Sequence, residues 1–326
     1  MKVHILDDWF DTLRGLPCFR LLDGHEVTVW TDAAPDEDTL AARLAGAECV
    51  VLFRERTRIT RSLLERLPNL RLISQRSAWP HVDVDACTDQ DQGVLLCSNT
   101  GADGANYAAA ELTFALILAA MRQLPQQMAS AKAGTWQTGV GRTLRGRTLG
   151  LYGYGRIGRA VADYARAFGM PVLWWASDDG RARATAAGET VAESREAFFA
   201  QSEVLSLHMR LTPQTRGIVT AGDLAQMAPR SVLVNTSRAG LIAPGALLAG
   251  LEAGRPGMAA VDVFDTEPLT DPGDPLLAHP NLIATPHIGF VTEDEFDSQF
   301  TDIFEQVNAY AAGAPIHMVN PSVYGR

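Results

Sequence analysis

The sequence predicts an α/β protein built from two parallel-sheet domains, and three observations lead there. Short apolar stretches alternate with helical ones over the first hundred residues, and they do so again from Thr148 onward. Strand and helix in alternation imply a parallel sheet with helices on its faces. Between the two series lies a long apolar helical stretch, Asn106–Arg122, after a polar, glycine-containing break at Asn99–Gly104 that reads as a crossover between domains. At 326 residues the chain is long enough for two ordinary cores.

In the first series Val3–Leu6, Val27–Trp30, Cys49–Phe53, Leu70–Ser74 and Gly93–Cys97 read as strands. Asp36–Leu44 and Arg61–Leu67 read as helices, the second stopped by Pro68. The long helix is expected to end before Pro125. The strands of the second series end at Tyr152 and then span Val172–Trp175, Val204–His208, Val232–Thr236, Met258–Val263 and Leu282–Thr285. A helix from Thr292 to Ala312 is expected to return to the first domain. The predicted domains are therefore residues 1–101 with 290–326, and residues 102–289.

Composition narrows the function. A hydrophobic content of 47% fits a soluble globular protein, and a net charge of −10 argues against a nucleic-acid partner. MKVHILDDWF reads as a strand and turn rather than a signal peptide. The longest apolar run, Leu112–Met121, is too short to span a bilayer, so no membrane partner is expected and the setting is read as cytoplasmic. Cys18, Cys49, Cys87 and Cys97 show no C-x-x-C pairing and are expected as free thiols. The histidines are scattered without a metal-ligand spacing, and neither a G-x-S-x-G elbow nor a G-K-[ST] phosphate loop is present.

The stretch TLGLYGYGRIGRAVADYARAFG organises the second half of the chain. Gly153, Gly155 and Gly158 form G-x-G-x-x-G between a strand and a helix. In such a turn the first glycine allows the bend, the second lets backbone approach a pyrophosphate, and the third lets helix and strand pack closely. The helix N-terminus then offers N–H groups to the phosphates. This reads as dinucleotide binding.

Three polar groups follow strand ends, where open parallel sheets place their sites. Arg238 follows SVLVNTS, Glu267 follows AAVDVFDT, and His287 follows NLIATP. Each alone has an ordinary structural reading. Together they suit reduction of a 2-oxo acid: a histidine held by a carboxylate supplies the proton, and arginine pairs with the substrate carboxylate.

The glycine turn, VNTSRAGLI, VDVFDTEP and TPHIG occur in that order, and the set resembles the D-isomer-specific 2-hydroxyacid dehydrogenase family. The resemblance implies two doubly wound domains, one a Rossmann NAD(P)-binding domain and the other a flavodoxin-like substrate domain, with the site in the cleft. It implies hydride transfer between nicotinamide and C2 of a D-2-hydroxy or 2-oxo acid. Arg238 would bind the substrate, His287 would be the acid/base, and Glu267 would orient it. Asp262 would hold the nicotinamide carboxamide, while Arg156 and Ile157 with the glycines would meet the pyrophosphate. Ser177 would lie on the cofactor side, and His208 and Thr236 would line the nicotinamide side. It also implies a homodimer joined through the nucleotide domain. The family includes transcriptional corepressors, so a nucleotide-sensing binding protein is the alternative reading.

Two segments depart from the family pattern. Ala176 stands where NAD-preferring relatives usually carry Asp, which leaves NADP possible, while NAD is favoured. Arg181 and Arg183 suit a 2′-phosphate that Asp178 and Asp179 would repel, and all four also read as a solvated loop. On the substrate side Ser77, Ala78 and Trp79 replace a glycine-rich turn, with Trp79 read either as a pocket wall or as a cap on the first core. Phe290 stands where relatives have glycine and would shape the pocket beside His287. Arg54, past a strand end, is a candidate for a second anionic group.

Overall fold

The computed structural model describes residues 1–89, 93–101 and 107–325. The chain divides into two compact units: Met1–Gly104 with Thr292–Arg326, and Ala105–Val291. Part of the predicted crossover, and the predicted helix start at Asn106, lie outside the described residues.

The first unit begins with β1 (Lys2–Ile5), β2 (Glu26–Val29), α1 (Glu37–Leu44), β3 (Cys49–Val51), α2 (Arg61–Leu64), β4 (Leu72–Arg76), α3 (Val84–Asp89) and β5 (Leu95–Asn99). Its five strands are parallel in the order β2-β1-β3-β4-β5. The strands are short and rich in Val, Ile, Leu and Cys because a parallel sheet is covered on both faces. Asp36 and Thr60 cap α1 and α2, each accepting a backbone N–H of the first turn.

The second unit contains α4 (Ala108–Arg122), α5 (Leu124–Lys132), β6 (Leu149–Tyr152), α6 (Arg156–Ala167), β7 (Val172–Trp175), α7 (Asp178–Ala186), α8 (Arg195–Gln201), β8 (Val204–Leu207), α9 (Ala221–Gln226), β9 (Val232–Asn235), α10 (Ala246–Glu252), β10 (Met258–Val261) and β11 (Leu282–Ala284). Its six strands are parallel in the order β11-β10-β9-β8-β6-β7. One apolar layer joins α4 and α6 to the sheet through Phe114, Ile117, Val161 and Trp174. The other gathers Phe198, Phe199, Leu224 and Leu247 on the opposite face.

α4 ends at Arg122, before Pro125. Gln123 then turns left-handed (φ 53°) and a further helix begins, with Pro125 in the first turn of α5, where its missing N–H costs nothing. Residues 178–186 form α7 rather than a solvated loop, because Ser177 caps the helix and Asp178 and Asp179 suit its positive end.

The last helix, α11 (Glu293–Ala311), belongs to the first unit. Phe296, Phe300, Phe304 and Val307 are buried along it. The Phe53 ring meets those of Phe296 and Phe300 at 5.0 and 4.9 Å. Beyond α11 the chain runs antiparallel to β5, with Ser98 N–H donating to His317 O and Val319 N–H to Leu96 O. Buried Asn320 completes this edge: its Oδ1 accepts from Leu96 N–H at 2.8 Å and its Nδ2 donates to Val94 O at 3.0 Å. No helix among the described residues is long and apolar enough to cross a membrane.

Asn320→Leu leaves a buried N–H and a buried carbonyl without partners. It is expected to lower stability by about 2–4 kcal/mol, read from urea unfolding followed by circular dichroism.

Candidate active site

The glycine turn lies at the point where the second unit's strand order reverses, between β6 and β8. Open parallel sheets bind their ligands beyond the strand ends at such a reversal. Gly153 has φ 111°, and a Cβ there would stand 2.3 Å from His208 O, so no other residue fits. A Cβ at Gly158 would stand 2.9 Å from Gly153 O, which accounts for the close approach of α6. Gly155 differs: a Cβ there would have nothing within 4 Å. It caps α6, with Arg156 exposed and Ile157 half-buried in the first turn. Open space above a glycine at a helix N-terminus is what a pyrophosphate needs, so these residues fit a dinucleotide.

His208 follows β8 beside this turn. Its Nε2 lies 2.9 Å from Ser206 Oγ, while Nδ1 is buried without a hydrogen-bond partner among the described residues. Burial pushes its pKa down to about 4, so the ring is neutral at pH 7. Thr236, after β9, shares a hydrogen bond of 2.6 Å with Thr113 of α4. The end of β7 carries Ala176, almost fully buried. Ser177 Oγ accepts from Gly180 N–H at 3.3 Å as the cap of α7. Arg181 donates to Ala176 O at 2.8 Å and pairs with Asp178, and Arg183 pairs with Asp179.

Glu267 and His287 come together. His287 Nδ1 stands 2.6 Å from Glu267 Oε2. A carboxylate only accepts, so Nδ1 carries the hydrogen, and Nε2 is left without a partner among the described residues. Burial pushes the Glu267 pKa up. The hydrogen bonds from His287 and the Phe264 N–H, with the charges of His287 and Arg238, outweigh it and hold the group below its ordinary value. Arg238 is half-buried after β9, and its Nη1 donates to Ser237 O at 2.7 Å. Phe290 is buried with its ring edge-on to that of His287, 5.6 Å between centres.

His287 is left-handed, φ 54°, an uncommon state for a residue with a Cβ. Asp262 holds it there. This carboxylate is fully buried. It accepts from Thr285 Oγ1 at 2.5 Å, Ile288 N–H at 2.8 Å and Gly289 N–H at 2.8 Å. The resemblance gives Asp262 to a carboxamide, and in the structure its carboxylate also engages the loop that carries His287. Sequence reasoning missed this clamp, and also Ser206 and Thr113. The signal for the clamp was present in an acid at the end of β10 and a Thr-Pro-His bend after β11.

On the first unit, Ser77 is left-handed (φ 80°), and its N–H is not available to a substrate carboxylate because it donates to Asn99 O at 2.9 Å. Its carbonyl accepts from Ser98 Oγ at 2.7 Å. The N–H groups of Ala78 and Trp79, next in the turn, have no acceptor among the described residues. Trp79 is half-buried against the core of the first unit. Arg54, after β3, is half-buried with φ 62°.

Comparison with known proteins places this geometry. The family described as D-isomer specific 2-hydroxyacid dehydrogenase, NAD binding domain, matches residues 114–289. A glyoxylate reductase of Aeropyrum pernix is 32% identical over 311 residues, covering 92% of this chain and 91% of the relative. The chain belongs to the D-isomer-specific 2-hydroxyacid dehydrogenase family. A D-3-phosphoglycerate dehydrogenase of Methanocaldococcus jannaschii is 34% identical over 291 residues, covering 88% of this chain but 54% of the relative. The chain thus spans about half the length of the curated phosphoglycerate dehydrogenases it matches. The crystal structure of a phosphoglycerate oxidoreductase from Vibrio cholerae o395 is 45% identical, with a TM-score of 0.90, and covers 96% of this chain and 100% of that one. The family's two-domain fold, with a Rossmann domain for NAD, agrees with the two parallel sheets described above.

The unfolded chain protonates His208 below about pH 6.5, whereas the folded chain resists until about pH 4. Stability is therefore lost as pH falls through that window. His208→Gln removes this contribution, so its melting temperature is expected to fall less between pH 6.5 and 5 than that of the parent, measured by scanning calorimetry.

Proposed function

We propose that this chain is an NAD(P)-dependent oxidoreductase acting on C2 of a D-2-hydroxy acid or its 2-oxo counterpart. The observation that carries the reading is the 2.6 Å contact between His287 Nδ1 and Glu267, which directs the imidazole's other nitrogen to proton exchange. The nicotinamide, when bound, supplies or accepts the hydride. Gly153, Gly155, Arg156, Ile157 and Gly158 would hold its pyrophosphate, and Ser177, His208 and Thr236 would flank the rest. Asp262 serves this set through the loop it clamps.

In the reductive direction Arg238 draws electron density from the carbonyl oxygen and pairs with the substrate carboxylate. His287 Nε2 gives that oxygen its proton. Glu267, kept ionised, steadies the imidazolium before transfer and holds the ring's orientation throughout. Residues 1–101 with 290–326 are assigned to substrate binding, through the Ala78 and Trp79 N–H groups and Arg54, and residues 102–289 to the cofactor. Ser77 shapes that turn, and Phe290 limits the space beside His287. We assign NAD as the favoured cofactor because the acids opening α7 disfavour a 2′-phosphate. NADP is accepted more weakly, since Ala176 presents no charge against it.

His287→Ala is expected to lower kcat by about 10²–10⁴-fold while the Kd for NADH, read by tryptophan fluorescence, stays within about twofold. Wild-type-like turnover in that variant overturns the assignment. Glyoxylate, hydroxypyruvate, phenylpyruvate and branched 2-oxo acids, each run with NADH and NADPH, test the reaction class and cofactor together. Silence across the whole panel favours a nucleotide-sensing binder.

We also assign a homodimer. Met128, Trp136 and Val140, in the stretch after α4, are 59%, 75% and 87% exposed, a density of apolar surface that suits a subunit contact. Light scattering is expected to give twice the chain mass, and Trp136→Ser to shift it towards the monomer.

A further inference from the structure

The first unit has a switch point of its own. Its order β2-β1-β3-β4-β5 reverses between β1 and β3, and the crevice beyond the ends of those two strands is where such a sheet takes a ligand. The loops leaving β1 and β3 bring aromatic and cationic side chains together there. Trp9 and Phe10, after β1, are 38% and 46% exposed, whereas Phe53, after β3, is buried. The Arg56 guanidinium carbon lies 4.0 Å from the Trp9 ring centre, 4.2 Å from that of Phe53 and 5.6 Å from that of Phe10. One edge of this cation is tied down, because Nη1 donates to Asp7 O at 2.6 Å.

The backbone under the two exposed rings is held in an uncommon state. Asp7 is left-handed at φ 61°, and its buried carboxylate accepts from Thr57 Oγ1 at 2.6 Å. Residues kept in such conformations by their surroundings gather at ligand clamps. The arginine packed on Trp9 and Phe53 keeps the indole from swinging, so two apolar faces stay presented at the strand ends. None of these four side chains has a part in the chemistry assigned above.

We propose that this cluster binds the end of the substrate remote from its 2-oxo carboxylate, and that this end is an aryl group. The inference rests on the reaction class proposed above and adds the substrate's side chain to it. A third ring can meet Trp9 and Phe10 offset or edge-on, the arrangements aromatic pairs favour. The exposed surface of Trp9 and Phe10 is mostly hydrocarbon, which gains from covering by a ring and offers little to a phosphate.

The test uses the full chain with NADH and compares phenylpyruvate, glyoxylate and 3-phosphohydroxypyruvate by kcat/KM. Phenylpyruvate is expected to be the best of the three. Trp9→Ala and Phe10→Ala are each expected to lower kcat/KM for phenylpyruvate about tenfold, chiefly through KM, and to leave glyoxylate within about twofold. Trp9→Phe is expected to recover most of the loss. The glyoxylate rate reports an intact fold, and Phe10→Ala, which spares the Trp9–Arg56 contact, serves if Trp9→Ala folds poorly. A preference for 3-phosphohydroxypyruvate, or equal losses on phenylpyruvate and glyoxylate, overturns the inference. Turnover of glyoxylate without phenylpyruvate sinks this inference alone, whereas no turnover of any 2-oxo acid sinks the reaction class with it.

Discussion

A buried carboxylate sets the shape on which the proposed chemistry depends. Asp262 lies just past β10, wholly enclosed, and gathers a hydroxyl and two consecutive backbone N–H groups from the segment after β11. An enclosed charge is costly unless several donors surround it. Here the donors come from one short bend, so the need to satisfy the charge and the need to shape the bend are met together. That bend holds His287 in a left-handed conformation within reach of Glu267. Glu267 is in turn held by the Phe264 N–H, so both partners of the pair are fixed through backbone.

The same economy runs through the cofactor region. Gly153 and Gly158 are required by the backbone atoms that would collide with a Cβ, whereas Gly155 faces open space. The first two serve the protein's own packing, and the third leaves room for something else. At the end of β7 the charged side chains pair along α7, Arg181 with Asp178 and Arg183 with Asp179. The aspartates also favour the helix start electrostatically, which explains their presence without any appeal to a ligand.

Much of this was legible in the sequence, for physical reasons that differ from element to element. The strands announce themselves as short apolar runs because both faces of each sheet are covered. The glycine turn is legible because strand, three glycines and helix leave few other conformations. Leu124–Lys132 escaped because a proline in a helix's first turn looks, on paper, like one beyond its end. Residues 178–186 escaped because their charges suggest a solvated loop, and only Ser177 hints at a cap. The Asp262 clamp was hidden for another reason: its partners lie more than twenty residues away, so no local pattern records it. Ser77 shows the reverse error, for its position in the turn was anticipated but its N–H is taken by the neighbouring strand.

The return of α11 and the strand-like segment at residues 317–319 to the first unit bears on how the protein is made. The second unit is one continuous stretch, and all its strands have been synthesised by residue 284. The first unit lacks three buried phenylalanines of its core, and the partners of one sheet edge, until residues 292–320 have left the ribosome. Translation from the N-terminus therefore delivers the complete parts of the later unit before those of the earlier one. The first hundred residues must wait, with part of their apolar surface in water, for residues 292–320.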